Sequence, residues 1–248
     1  MGKQAVLKQL PSTNNDLLAY VFLKSGDKDE ILVDTDWGQC TRKGLCTLSP
    51  RGWVMDMVID MMGLYVSTSS SEMLYIPTTA RNLCAKRDKK IGTNYITTKY
   101  MSNNGSNYKS VFIPILLEKH WYVCVCDMMQ KKNHILDSLP QRRLDKRTSN
   151  AVKVVTNVAD IIARTNGYKH FASVKSFPYC NVSIPRQSDG FNCGVYVLKW
   201  LEAGEDHTLW TNVDYYKDMD AYRNHVLIKL LLWDKNKKGR SLILKSAS

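Results

Sequence analysis

The sequence predicts an α+β fold: a small central mixed or antiparallel sheet flanked by helices. Strand signals crowd the middle of the chain, amphipathic helical periodicity lies on both sides of them, and no internal repeat organises the 248 residues. At this length, with 44% hydrophobic residues, the chain can bury a sizeable core, and one globular domain with short appendages is expected.

Taken in order, residues 1–47 hold only short apolar runs, "LAYVF" at 18–22 and "ILVD" at 31–34, which read as strands between polar turns. In "SPRGWVMDMVIDMMGLYV", Ser49 and Pro50 suggest a helix start, and Trp53, Met57, Ile59, Met61 and Leu64 recur at helical spacing, so a helix is expected over about 51–65. "SNNGSNYKS" at 102–110 has loop composition. Three strands follow, "VFIPIL" (111–116), "HWYVCVCD" (120–127) and "NHILD" (133–137), the last two close enough for a hairpin. Residues 148–165 show helical periodicity with Ser149 or Asn150 as cap, and "KSFPYCNVSIP" reads as another strand. A helix opens at Cys193, and another is expected over 220–233 before a frayed basic tail.

Lys and Arg total 35 against 23 Asp and Glu, a formal charge of +12 that suits an acidic protein partner, nucleic acid or a membrane surface without choosing among them. The seven cysteines, at 40, 46, 84, 124, 126, 180 and 193, include no C-x-x-C pair or zinc-type spacing, so a reducing compartment is the simplest reading. The sequence shows neither a signal core nor an apolar stretch of membrane-spanning length. A nuclear or cytoplasmic protein without a membrane partner is therefore expected. "KRDKK" at 86–90 and "KNKKGR" at 235–240 could serve as nuclear addresses, although solvated surface is the simpler reading of both.

The chemistry concentrates around "QSDGFNCGV" (187–195). A thiol becomes a strong nucleophile as thiolate, which a helix N-terminus and a nearby imidazolium both favour. Asn192 is a good cap residue, so Cys193 would sit in the first helical turn, and Gly190 and Gly194 would let a substrate backbone approach. On this stretch alone, Cys193 reads equally as a small core residue. Its prospective partners are His120, which opens one arm of the expected hairpin, and Asp137, which closes the other. His134 competes as the base but lies nearer the turn. Gln187 could donate its amide N–H to an oxyanion beside the Cys193 N–H, though a polar loop residue without a role is the simpler reading of Gln187 by itself.

Taken together, "KHWYVCVCD", "ILDSLP" and "PRQSDGFNCGVYVLKWLE" resemble the catalytic signature of the ubiquitin-like-protein-specific cysteine proteases, the SUMO protease group, including its divergent plant members. The resemblance spans roughly residues 45–203 and implies an adenain-like cysteine-protease fold. It further implies Cys193 as nucleophile, His120 as base, Asp137 as its orienter and Gln187 as oxyanion donor. By the match of "GWVMD", Trp53 and Trp121 would face each other over a narrow tunnel for a Gly-Gly tail, with Asp56 contacting that tail. Asn192 departs from the pattern, which usually has Asp before the cysteine.

The resemblance implies a thiol protease that cleaves after the Gly-Gly of a ubiquitin-like modifier, in a precursor or on lysine, without a metal or organic cofactor. The expected layout is a weakly matched N-terminal extension (1–44), a catalytic domain (45–234) and a basic tail (235–248) in a monomer. The competing functions are a catalytically silent modifier-binding module and a related Cys-dependent acyltransferase. Sequence-specific nucleic-acid binding is not supported by any recognisable motif.

Overall fold

In a computed structural model of the chain, residues 13–70, 72–79, 108–139, 144–164 and 168–246 are described. The basic cluster at 86–90 and most of the expected loop at 102–110 lie outside them. The alternating apolar run of the central segment folds as β4 (Ser110–Leu117), β5 (His120–Asp127) and β6 (Lys132–Leu136). With β3 (Met73–Tyr75) and β7 (Tyr179–Asn181) they form a five-stranded sheet in the order β3-β4-β5-β6-β7. The outer pairs are parallel and the central ones antiparallel, so the sheet is mixed.

Leu117 pairs with His120, leaving Glu118 and Lys119 as a two-residue turn with φ of 52° and 62°. Positive φ at both central positions gives the twist that a tight hairpin needs, here without glycine. That turn sets where β5 begins, and hence where His120 stands.

Strand alternation sorts the side chains onto two faces. Val111, Ile113 and Ile115 of β4, Tyr122, Cys124 and Cys126 of β5, and Ile135 of β6 are buried together with Ala151, Val155, Val158 and Ile162 of α4 (Leu144–Ile162). That helix starts before the caps read from the sequence. The opposite face of β5 packs on α5 (Cys193–Ala203), whose buried residues include Val195, Val197, Leu198 and Leu201. α3 (Asp56–Ser69) also packs on α5. It begins five residues later than expected: Ser49 ends a short 3-10 turn, Arg51 has φ of 63°, and residues 52–55 run without helix. Trp53 therefore precedes the helix.

These elements belong to one compact unit, Trp53–Met219. A second unit comprises Met1–Gly52 and Asp220–Ser248. It holds α1 (Thr13–Phe22), the β1–β2 hairpin (Ile31–Asp34 with Gln39–Thr41), and the helix Met219–Leu231 apart from its first residue. The run 18–22 is helical, not a strand, because Leu17 and Val21, four apart, are both fully buried at helical rather than alternating spacing. The expected fraying of the tail is also corrected, since Gly239–Ser246 is helical with Leu242 buried. Asn236, itself buried, ties this segment down by donating to the carbonyls of Leu32 and Leu231 and accepting from the N–H of Asp34 and Lys238. Arg223 is fully buried and donates to the carbonyls of Thr47, Ser49 and Gly52. No described helix is long and apolar enough to cross a membrane.

Candidate active site

Two strand ends and one helix start converge on a cysteine. In the β5–β6 pairing Val123 lies opposite Leu136, so the next residue, Asp137, falls opposite Tyr122 and diagonal to His120. By period-2 alternation His120, Tyr122 and Asp137 share one face. His120 Nε2 and Asp137 Oδ1 are 2.7 Å apart. His134 pairs with Val125 and faces the other way, where its Nε2 lies 3.9 Å from Asp127 Oδ2. Parity thus keeps His134 away from Asp137.

The carboxylate of Asp137 is held at both oxygens. Oδ1 also accepts from the Leu139 N–H at 3.0 Å, and Oδ2 pairs with the Arg147 guanidinium from α4. Tyr122 stacks on His120, with centroids 6.4 Å apart, and its hydroxyl donates to the carbonyl of Arg147. Since Nε2 is engaged by Asp137, Nδ1 is the imidazole nitrogen left for the Cys193 thiol. Burial works against the imidazolium, but the Asp137 hydrogen bond and the Cys193 thiol beside it outweigh it and raise the His120 pKa above the ordinary histidine value. Burial likewise favours the neutral acid at Asp137, yet the His120 hydrogen bond, the Leu139 N–H and the charges of His120 and Arg147 hold its pKa below the usual carboxylate value.

Cys193 is the first residue of α5 and only 5% exposed. Its N–H belongs to the first turn, whose donors have no intrahelical acceptor. Asn192 does not cap the helix with its side chain as expected. Instead Asp189 organises the approach: its Oδ1 accepts from the N–H of Phe191 and Asn192, and its Oδ2 accepts from Asn192 Nδ2 at 2.7 Å. An Asp at 192 would set two carboxylates against each other there, so an amide suits this loop.

The two glycines separate. A Cβ on Gly190 would meet nothing within 4 Å, consistent with open space before the cysteine. A Cβ on Gly194 would lie 2.6 Å from Val54 Cβ and 3.4 Å from Trp121 Cδ1. Gly194 is therefore required by close packing of α5 against Val54 and Trp121, which corrects its reading as an opening for substrate.

Gln187 is buried and sits beside Asp137's neighbour: its N–H donates to the Ser138 carbonyl at 2.9 Å, and its Oε1 accepts from Ser138 Oγ at 2.6 Å. Gln187 Nε2 donates to the Asp189 carbonyl. A carbonyl only accepts, so this contact fixes which end of the amide carries nitrogen, and Nε2 retains a second N–H. Trp121 is 7% exposed and its indole donates to the Val54 carbonyl at 3.1 Å. Trp53, adjacent to Val54, is 52% exposed. Asp56 is exposed at the start of α3, where Oδ1 accepts from the Met57 N–H.

The sequence reading missed Arg147, Ser138, Asp189 and Val54, each of which supports an anticipated residue. Ser138 and Asp189 stand within the quoted motifs, next to Asp137 and two residues after Gln187. Arg147 carried no local signal, because its role depends on α4 crossing the strand ends.

Residues 53–228 match the Ulp1 protease family, C-terminal catalytic domain. A sentrin-specific protease of Caenorhabditis elegans is 26% identical over 229 residues, covering 87% of this chain and 30% of that protein. Ubiquitin-like-specific protease 1 of Saccharomyces cerevisiae is 22% identical over 190 residues, covering 76% of this chain and 28% of that protein. The chain thus spans under a third of the length of these curated relatives. Among solved structures, the C-terminal Ulp1 protease domain in complex with Smt3, the yeast ortholog of SUMO, superposes with a TM-score of 0.69 at 18% identity, over 90% of this chain and 95% of that one. The catalytic domain from Chaetomium thermophilum, an Ulp1-like SUMO protease, gives 0.60 at 16% identity over 96% and 94%. The solved structures share the α+β fold expected from the motifs, and with the family match over 53–228 the chain belongs to the Ulp1 family of cysteine proteases.

Proposed function

We propose that the chain is a thiol protease that cleaves after the C-terminal Gly-Gly of a ubiquitin-like modifier, SUMO or a relative, in a precursor or on a lysine conjugate. The observation that carries this reading is the 2.7 Å link between the His120 imidazole and the Asp137 carboxylate, with Cys193 beside that imidazole at the start of α5.

His120 takes the Cys193 proton at Nδ1, and the thiolate attacks the carbonyl of the terminal glycine. The oxyanion is received by the Cys193 N–H and the remaining N–H of Gln187 Nε2, a stabilisation typically worth about 3 kcal/mol per donor. His120 then protonates the departing amine, leaving a thioester on Cys193. Water gives a proton back to His120 and attacks the thioester, releasing the modifier carboxylate and restoring the thiol. Asp137 keeps the imidazole turned toward sulfur and stabilises its charged form, and Arg147 holds Asp137. Trp53 and Trp121 wall the approach, which admits glycine because it lacks a side chain, and Asp56 contacts the tail.

The full chain should release the extension from a SUMO precursor ending in Gly-Gly. Cys193→Ala should abolish cleavage while retaining modifier binding in a pull-down or by calorimetry. Binding without turnover by the native chain would instead make it a silent modifier-binding module, and acetyl-CoA-dependent acylation of Cys193 without cleavage would make it an acyltransferase.

The pH dependence has a definite sign. The raised pKa of His120 makes its contribution full below about 6.5 and lost as pH rises through the folded value, while the depressed pKa of Asp137 makes its own full above about 3.9 and lost as pH falls through the folded value. Asp137→Asn should lower the His120 titration midpoint, read by NMR, and reduce kcat by about 100-fold or more. An unmoved midpoint would remove Asp137 as the group that charges the imidazole.

The Asp189 and Asn192 pair makes a further test. Asn192→Asp alone should reduce kcat/KM, and adding Asp189→Asn should recover most of the loss, because the swap restores one amide facing one carboxylate. Additive losses in the double variant would show that the contact does not shape the loop.

A further inference from the structure

At the far end of β5 from His120, three potential metal ligands from separate elements converge, and none has a role in the proposed reaction. Asp127 closes β5, His134 stands on β6 and His207 opens α6 (His207–Thr211). Seven residue steps separate Asp127 from His120, roughly 23 Å along a strand. One ligand atom from each of the three lies within 4.8 Å of the others. Both histidines direct Nε2 at the same carboxylate oxygen, Asp127 Oδ2, at 3.9 Å for His134 and 3.8 Å for His207. These gaps are too long for hydrogen bonds.

Asp127 is held ready. Its Oδ1 accepts from the N–H of Met129 and Gln130 in the β5–β6 turn, at 2.9 and 2.7 Å, leaving Oδ2 for the histidines. His134 is only 8% exposed, and its Nε2 is buried without a hydrogen-bond partner. A buried ring nitrogen without a partner is costly, and a cation in line with its lone pair would satisfy it. Trp210 packs against both imidazoles, 5.8 Å from His134 and 4.1 Å from His207, and restricts their rings. Gln130 reaches His207 Nδ1 at 3.4 Å. With its amide turned over, it would accept the Nδ1 proton and leave Nε2 to ligate, the outer support that metal-bound histidines commonly have.

We propose that Asp127, His134 and His207 form a binding site for a divalent metal ion of the zinc class. Two imidazoles and one carboxylate are a zinc-type donor set, and ligands about 2.1 Å from a tetrahedral ion lie about 3.4 Å apart. The observed separations of 3.8 and 3.9 Å need to close by half an ångström or less. His207 can make that movement, because its side chain is 34% exposed. Asp127 and His207 also border a cavity of about 390 Å³, together with Gln130 and Glu205. An ion here would brace the end of β5, β6 and α6, and it takes no part in the chemistry at Cys193.

The test uses the full chain with Cys193→Ala, so that the proposed nucleophile contributes no thiolate. Titration with Co²⁺ should give one equivalent of visible d–d absorption without a thiolate charge-transfer band, and Zn²⁺ should displace it. The milder variant His207→Gln, at a partly exposed position, should weaken Co²⁺ binding by more than about tenfold, and Asp127→Asn should do likewise while far-ultraviolet circular dichroism stays unchanged. No stoichiometric uptake, thiolate-type absorption, or equal affinity in His207→Gln would overturn the site and leave a packed imidazole cluster. The readout is metal binding, so it is independent of whether the chain cleaves a modifier.

Discussion

The register of the β5–β6 hairpin is the constraint on which the site depends. A strand has period 2, so a slip of one residue would turn Asp137 to the opposite face of the sheet and break its 2.7 Å contact with His120. The same parity that unites His120 with Asp137 separates His134 from them. The tight Glu118–Lys119 turn fixes one end of β5, and burial of Tyr122, Cys124 and Cys126 against α4 fixes the face. Packing far from the cysteine therefore decides which histidine lies beside Asp137.

The Cys193 side of the site depends on close approach. Because Gly194 has no side chain, α5 comes within contact of Val54, whose carbonyl receives the Trp121 indole. One missing methyl thus connects the start of the Cys193 helix, the segment carrying Trp53 and the first residues of β5. Asp189 then shapes the loop through three hydrogen bonds, all to residues just ahead of the helix.

Much of this was legible because strands announce themselves by alternation. The three central strands fell within a residue or two of their observed limits, and His120 and Asp137 could be paired from the hairpin alone. What was illegible depended on long-range packing. "LAYVF" has β-type composition but is helical, its helix burying Leu17 and Val21. Trp53 matches the helical spacing yet precedes the helix, since Arg51 takes a left-handed conformation. Arg147 lies ten residues after Asp137, and only the path of α4 brings the two charges together. Asn236 is one polar residue in a basic run, and its four hydrogen bonds turn an apparently loose tail into an ordered segment.

The proposed reaction makes Cys193, beside the His120 that this hairpin positions, the one reactive thiol among seven in the chain. The most direct measurement is labelling by SUMO carrying a C-terminal electrophile, followed by mass spectrometry of the peptides. The account predicts a single adduct at Cys193 that is lost in Cys193→Ala and strongly slowed in His120→Ala. Labelling spread over other cysteines, or undiminished when His120 is replaced, would contradict it.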